Sequence, residues 1–206
     1  MFDADYRKAP EHPFPAAIQD AEDITYYLAA NPDKYDASNV FLCGFSAGGN
    51  LALVTASHLG PERVKGVLGF YPPVDFTKPH TAPEKRFVAG AVIPQFIANI
   101  FHAAYALPSQ PLNDPRISVI LAPPESFPNH VYLACGNADT LYDPALKFVA
   151  RLKEAGHDDA EFVGFEHMGH GFDSHGKDST EGKEKKHEAY TGAVDLINRV
   201  TEALGE

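Results

Sequence analysis

The sequence predicts an α/β fold, a mainly parallel sheet covered by helices. Three observations carry this. Apolar runs of strand length alternate with longer segments of helical spacing along the 206 residues. One junction, Val40-Phe41-Leu42-Cys43 followed by Gly44-Phe45-Ser46-Ala47-Gly48-Gly49 and an apolar run from Leu51 to Leu59, reads as strand, tight small-residue turn and helix. Two polar loops, around Asp139 and around His170, directly follow strand-like runs, at the edge where open α/β sheets hold their sites.

In chain order, residues 2–6 resemble a strand end. Pro10, Pro13 and Pro15 form a rigid lead into a helix from Ala16 to Ala30, with Ile18, Ala21, Ile24 and Leu28 at helical spacing and Asn31-Pro32-Asp33 closing it. Asn39–Cys43 is the second strand, Ala47–Leu59 the second helix and Val64–Tyr71 the third strand. The segment from Pro72 to Pro128 breaks the alternation. It is rich in proline, carries a helical stretch from about Pro83 to Tyr105, and is expected to sit over the sheet as a cap. His130–Cys135 is the fourth strand, Pro144–Ala155 a helix closed by Gly156, and Glu161–Phe165 the fifth strand. Asp173–Lys186 is polar and charged and reads as a mobile loop. His187–Leu204 is the last helix, with Ala189, Ala193, Leu196, Ile197 and Val200 on one face. The whole, 1–206, reads as a single domain with 72–128 as a cap-like insertion.

Bulk properties exclude several classes. A net charge of -11 argues against nucleic-acid and anionic-membrane partners. No apolar run approaches the roughly 18 residues of a membrane span. No positive segment followed by an apolar stretch opens the chain, so no secretion signal is expected. Cys43 and Cys135 each end an apolar run and are expected to be buried reduced thiols, which fits a cytoplasmic location. Neither the cysteines nor the histidines show metal-ligand spacing, so no metal is expected.

The chemistry resides in three loops. A serine hydroxyl becomes a nucleophile when a histidine takes its proton and an acid orients that histidine. Ser46, Asp139 and His170 occur in that order, each at the carboxyl end of a strand. Asp143 is the rival acid, but its place beside Pro144 suits a helix cap. His167 and His175 rival His170, which Gly169 and Gly171 flank in a tight loop. A Cβ at Gly44 or Gly48 is expected to clash inside the turn that carries Ser46.

At this point the sequence resembles the hormone-sensitive-lipase-like family of α/β-hydrolase esterases. The matching residues are Asp5-Tyr6-Arg7-Lys8-Ala9-Pro10-Glu11-His12-Pro13-Phe14-Pro15-Ala16-Ala17, Gly44-Phe45-Ser46-Ala47-Gly48-Gly49-Asn50, Gly136-Asn137-Ala138-Asp139 with Leu141 and Asp143, and His170-Gly171-Phe172. The first motif is specific to the family, and Tyr6, Arg7 and Glu11 read as structural. The resemblance implies a carboxylic ester hydrolase that forms an acyl-enzyme on Ser46. His170 serves as base and then acid, Asp139 orients it, and the Ala47 amide is an oxyanion donor. It implies no metal or organic cofactor, and a small-molecule ester as substrate. Phe87, Val92, Ile93, Phe96, Ile97, Ile100 and Phe101 could line a pocket for short to medium acyl chains, or form the cap's own core.

Two departures stand out. Phe45 replaces a frequent aspartate beside the nucleophile and is expected to alter packing or narrow the pocket. A His-Gly-Gly-Gly oxyanion loop and the first three strands of the family are absent from the sequence, which reads as N-terminally truncated. Activity is then expected to be weakened. The strand at 39–43 is expected to carry an open edge that residues 2–6 or a second copy can cover. The four strands from Asn39 to Phe165 should still form one continuous parallel sheet. The alternatives to an esterase are an inactive remnant and a member that binds a small ligand. With a histidine base of ordinary pKa, activity should fall as it protonates near pH 6 to 7.

Overall fold

Four short strands are long enough only to cross a sheet once. Each helix between them returns the chain to the same end, so the strands run parallel. The computed structural model describes residues 1–78, 87–175 and 179–203. Its elements are α1 (Ala16–Ala29), β1 (Phe41–Phe45), α2 (Ala47–Leu59), β2 (Gly66–Phe70), α3 (Gln95–Tyr105), β3 (His130–Gly136), α4 (Tyr142–Glu154), β4 (Ala160–Phe165), α5 (Phe172–His175) and α6 (Thr180–Ala203). The described strands form one parallel sheet in the order β1-β2-β3-β4. Phe45 pairs with Phe70, Phe70 with Ala134, and Gly136 with Phe165, so the carboxyl ends of all four strands share one edge.

Side chains alternate across the pleat and divide the core into two layers. Val67, Val131 and Leu133 face Leu53 and Val54 of α2 and Phe148 and Leu152 of α4, with Ile18 of α1 behind them. Leu68, Phe70, Tyr132 and Ala134 face the other way, against Ala189, Ala193 and Leu196 of α6 and against Phe172. Most of these side chains are fully buried. At about 1.5–3 kcal/mol for each large one, this two-sided burial is the main force holding the sheet.

The structure corrects several expectations. Residues 2–6 form no strand. Arg7 is instead locked onto Asp20 of α1, its Nη2 2.8 Å from Oδ1, and Tyr6 packs on the core, so the segment runs along α1 rather than into the sheet. Glu11 is exposed. β1 runs from Phe41 to Phe45, because Gly44 and Phe45 continue the ladder opposite Gly69 and Phe70 instead of starting the turn. Cys43 is exposed, not buried as expected. Among the described residues β1 has β2 on one side and no strand on the other.

The helical stretch expected from Pro83 begins only at Gln95, after Pro94; residues 83–86 lie outside the described part. Phe96, Ile100 and Phe101 of α3 are largely exposed, so they form no cap core among the described residues. The expected loop at 173–186 is helix at 172–175 and again from Thr180, with 176–178 outside the described part. The lysines and glutamates of that run are good helix formers, and Lys185 pairs with Glu188 across one turn.

Candidate active site

The sheet edge gathers three loops. Ser46 leaves β1 with φ 50° and ψ -120°, a left-handed conformation that a non-glycine residue adopts only when its surroundings enforce it. The Ser46 amide donates to Phe70 O at 2.9 Å, while its carbonyl accepts from Gly49 and Asn50 in the first turn of α2. The turn is closed too tightly for a side chain at Gly44, where a Cβ would stand 2.1 Å from Gly48 O. Gly48 itself has open space, with nothing within 4 Å of its Cβ position, which corrects the expectation for that residue. Gly49 is the tighter neighbour, 3.0 Å from Pro72 Cβ.

Asp139 lies in the loop after β3, its side chain almost fully buried. Its Oδ1 accepts from the Leu141 amide at 3.0 Å. Its Oδ2 accepts from His170 Nδ1 at 2.7 Å and, weakly, from the Cys135 thiol at 3.9 Å. His170 Nε2 is 2.9 Å from Ser46 Oγ. A carboxylate only accepts, so the Nδ1 proton belongs to the histidine, and the Nε2 lone pair faces the serine hydroxyl. The array can therefore take a proton from Ser46 Oγ and stabilise the resulting imidazolium. Burial, then the neighbouring charge of Asp139, pushes the Cys135 thiol well above its ordinary pKa, so it stays a neutral donor.

The His170 loop is held from outside by a strap at 88–91. Val88 N–H donates to His167 O, Gly169 N–H to Ala89 O, and Ala91 and His170 exchange amide bonds of 2.8 and 2.7 Å. Gly90 takes φ 92° here, and a Cβ on it would stand 2.6 Å from the Gly169 carbonyl. The helix expected from about Pro83 to Tyr105 does not run through this strap. Gly90 and Pro94, both poor in helices, were the signals against it.

The structure thus brings Ser46, Asp139 and His170 together, with Ala47 beside them as the first residue of α2, where amides lack intrahelical acceptors. The rivals stand elsewhere. His167 is exposed, and its amide donates to Asn137 Oδ1. His175 Nδ1 meets Ser174 Oγ and Gly171 O. Asp143 is exposed and does not cap α4. That helix starts at Tyr142, after Leu141, without a side-chain cap, because Asp139 already binds the Leu141 and Tyr142 amides. Asp143 lies in the first turn, where its charge favours the helix dipole. Phe45 stacks on Phe70 with centroids 4.6 Å apart and meets Tyr190 edge-on, so its ring repacks the α6 side of the sheet. Among the described residues no cluster of His, Cys, Asp and Glu could hold a metal ion, and no helix is long and apolar enough to cross a membrane.

Comparison with known proteins bears on this geometry. A family model described as alpha/beta hydrolase fold matches residues 2–174. A versiconal hemiacetal acetate esterase of Emericella nidulans is 30% identical over 156 residues, covering 69% of this chain and 52% of the esterase. The carboxylic ester hydrolase LipN of Mycobacterium tuberculosis is 33% identical over 164 residues, covering 74% of this chain and 43% of its own. The chain spans about half the length of the curated relatives it matches. Among solved structures, the thermostable carboxylesterase EstE1 from a metagenomic library superposes with a TM-score of 0.79 at 28% identity, over 94% of this chain and 67% of EstE1.

Proposed function

Because this chain belongs to the hormone-sensitive-lipase-like esterase family of the α/β-hydrolase fold, we propose that it hydrolyses carboxylic esters through an acyl-enzyme on Ser46. The observation that carries this reading is the unbroken line from Ser46 Oγ to His170 Nε2 at 2.9 Å and from His170 Nδ1 to Asp139 Oδ2 at 2.7 Å. The hydroxyl oxygen attacks the acyl carbon while its proton passes to Nε2. Asp139 holds the tautomer that makes Nε2 the acceptor, and it stabilises the imidazolium. The Ala47 amide donates to the oxyanion. Collapse of the tetrahedral intermediate breaks the bond to the alkoxy oxygen, which leaves as the alcohol with the proton from Nε2. Water then repeats the sequence on the acyl-enzyme, releasing the acid and freeing Ser46.

All three residues lie within hydrogen-bond reach, which favours hydrolysis over a remnant or a purely ligand-binding role. The substrate class is a small ester of short to medium acyl chain. A relative named as an acetate esterase supports the short end of that range. In the family resemblance further oxyanion amides come from a His-Gly-Gly-Gly loop, and the 206 residues contain no such sequence. Each missing donor typically costs about a hundredfold to a thousandfold, so this chain by itself is expected to turn over slowly.

Turnover of p-nitrophenyl acetate, butyrate and palmitate by the chain and by Ser46→Ala tests the proposal. Slow hydrolysis is expected, with the acetate and butyrate preferred and with loss to background in Ser46→Ala. Hydrolysis that survives Ser46→Ala would overturn it.

A further inference from the structure

Apart from the Nε2 bond to Ser46 Oγ, across which the proton moves, the His170 ring has one polar anchor, the Nδ1 bond to Asp139. A single hydrogen bond fixes one direction and leaves the ring free to rock about it, which would swing Nε2 off Ser46 Oγ. A ring contact that blocks such rocking comes from Tyr71.

Tyr71 follows β2 directly and holds φ 43°, an outlier for a bulky residue. Its amide donates to Ala134 O at 2.7 Å, so the unusual backbone is tied to the sheet. Its ring lies edge-to-face with the His170 imidazole, centroids 4.8 Å apart and planes inclined at 64°. Phe172 and Phe45 pack around the same ring at 6.0 and 6.2 Å. The Tyr71 hydroxyl donates to Asp173 Oδ1 at 2.6 Å. The other oxygen, Oδ2, accepts from Tyr190 of α6 at 2.6 Å, and the Asp173 carbonyl accepts from Lys186 Nζ at 3.1 Å.

This arrangement has a cost and therefore calls for a reason. Asp173 is buried, and a buried carboxylate is tolerated only when its oxygens are satisfied. Burial, then the bond to Asp173, raises the Tyr71 phenol well above its ordinary pKa, so it remains a donor. Burial, then Asp173, does the same for Tyr190. Neither tyrosine nor Asp173 lies on the proton path. Two of the three bear on His170: Asp173 sits on the chain segment that carries it and Tyr71 touches its ring, while Tyr190 ties Asp173 to α6.

We propose that Tyr71, braced by Asp173 and Tyr190, is a positioning residue that fixes the imidazole plane of His170 toward Ser46. The inference rests on the esterase reading, and it extends the site to a residue 102 positions from Asp173 in sequence. The brace works at both ends. The hydroxyl pins the far end of the Tyr71 ring, and the same carboxylate pins the loop three residues beyond His170.

The test compares the full chain with Tyr71→Leu, Tyr71→Phe and Tyr190→Phe. The readouts are the second-order rate of fluorophosphonate labelling at Ser46 per folded molecule, and kcat and KM for p-nitrophenyl butyrate. Tyr71→Leu, which removes the ring face, is expected to slow labelling roughly tenfold to a hundredfold, and to lower kcat with KM unchanged. Tyr71→Phe keeps the ring and loses the brace, and is expected to fall between Tyr71→Leu and the unaltered chain. The hydrogen-bonded Nδ1 proton of His170, far downfield in the proton spectrum, is expected to broaden in Tyr71→Leu. Should Tyr71→Leu not fold, Tyr190→Phe carries the test through the brace alone, and slower labelling is expected there too. Folded Tyr71→Leu that labels at the unaltered rate would overturn the inference and leave the esterase reading intact. An unaltered chain that is folded and never labels would overturn the esterase reading and this inference with it.

Discussion

Asp139→Asn is expected to keep the fold and to slow both ester turnover and Ser46 labelling by about four orders of magnitude. The reason lies in how the carboxylate divides its oxygens. Oδ1 is taken by the Leu141 amide at 3.0 Å, and Oδ2 by His170 Nδ1 at 2.7 Å. An asparagine has one acceptor oxygen. The Leu141 donor claims it, so the NH2 group turns toward the imidazole. Nδ1 must then accept, the proton moves to Nε2, and no lone pair faces Ser46 Oγ. The substitution changes little volume, so thermal unfolding should shift only slightly. A folded Asp139→Asn chain that labels within tenfold of the unaltered rate would show that Asp139 does not set the tautomer.

Gly136→Ala is the second large effect, and it acts on the fold. Gly136 ends β3, and a Cβ there would stand 2.0 Å from Met168 O and 2.4 Å from Met168 C. Both are backbone atoms of the loop that also carries His170, and neither can rotate away. Relief requires the loops bearing Asp139 and His170 to part. A loss of about 3 kcal/mol or more is expected, equivalent to a fall of roughly 6–12 °C in Tm for a domain of this size. Labelling should fall with it, because the same movement breaks the bond between His170 and Asp139. Gly48→Ala is the matched control. Its Cβ position is open, and replacing a helical glycine should leave stability equal or raise it by up to about 1 kcal/mol. Equal stability of Gly136→Ala and the unaltered chain in thermal unfolding would refute the packing argument.

Much of the scaffold was legible in the sequence because the signals are local. The apolar runs that became β2, β3 and β4 are bounded by turn residues, and the intervening helices carry their apolar spacing in full. The gathering of Ser46, Asp139 and His170 at one sheet edge was legible for a related reason. Each sits in a glycine-bearing loop directly after a strand, and a parallel sheet delivers such loops to one edge. What escaped depends on distant partners. Cys43 is exposed although it sits in an apolar run, and its exposure depends on its neighbours in three dimensions, which no local pattern records. The ends of β1 were misplaced by two residues because Gly44 reads as a turn residue, although it pairs with Gly69. The start of α6 was missed because a run of lysine and glutamate looks like a solvated loop. Its anchoring contacts, Lys186 and Tyr190 on Asp173, are visible only in three dimensions. The strap at 88–91 and the brace on Tyr71 belong to the same class, since each joins residues widely separated in sequence.

The central claim is that His170 activates Ser46. Fluorophosphonate treatment of the folded chain, followed by intact mass and peptide mapping, tests it most directly, because labelling needs an activated serine and no complete turnover. One phosphonyl group per chain on Ser46 is expected, absent from Ser46→Ala and from His170→Ala. A folded chain that stays unlabelled, or one that labels equally in His170→Ala, would contradict the claim.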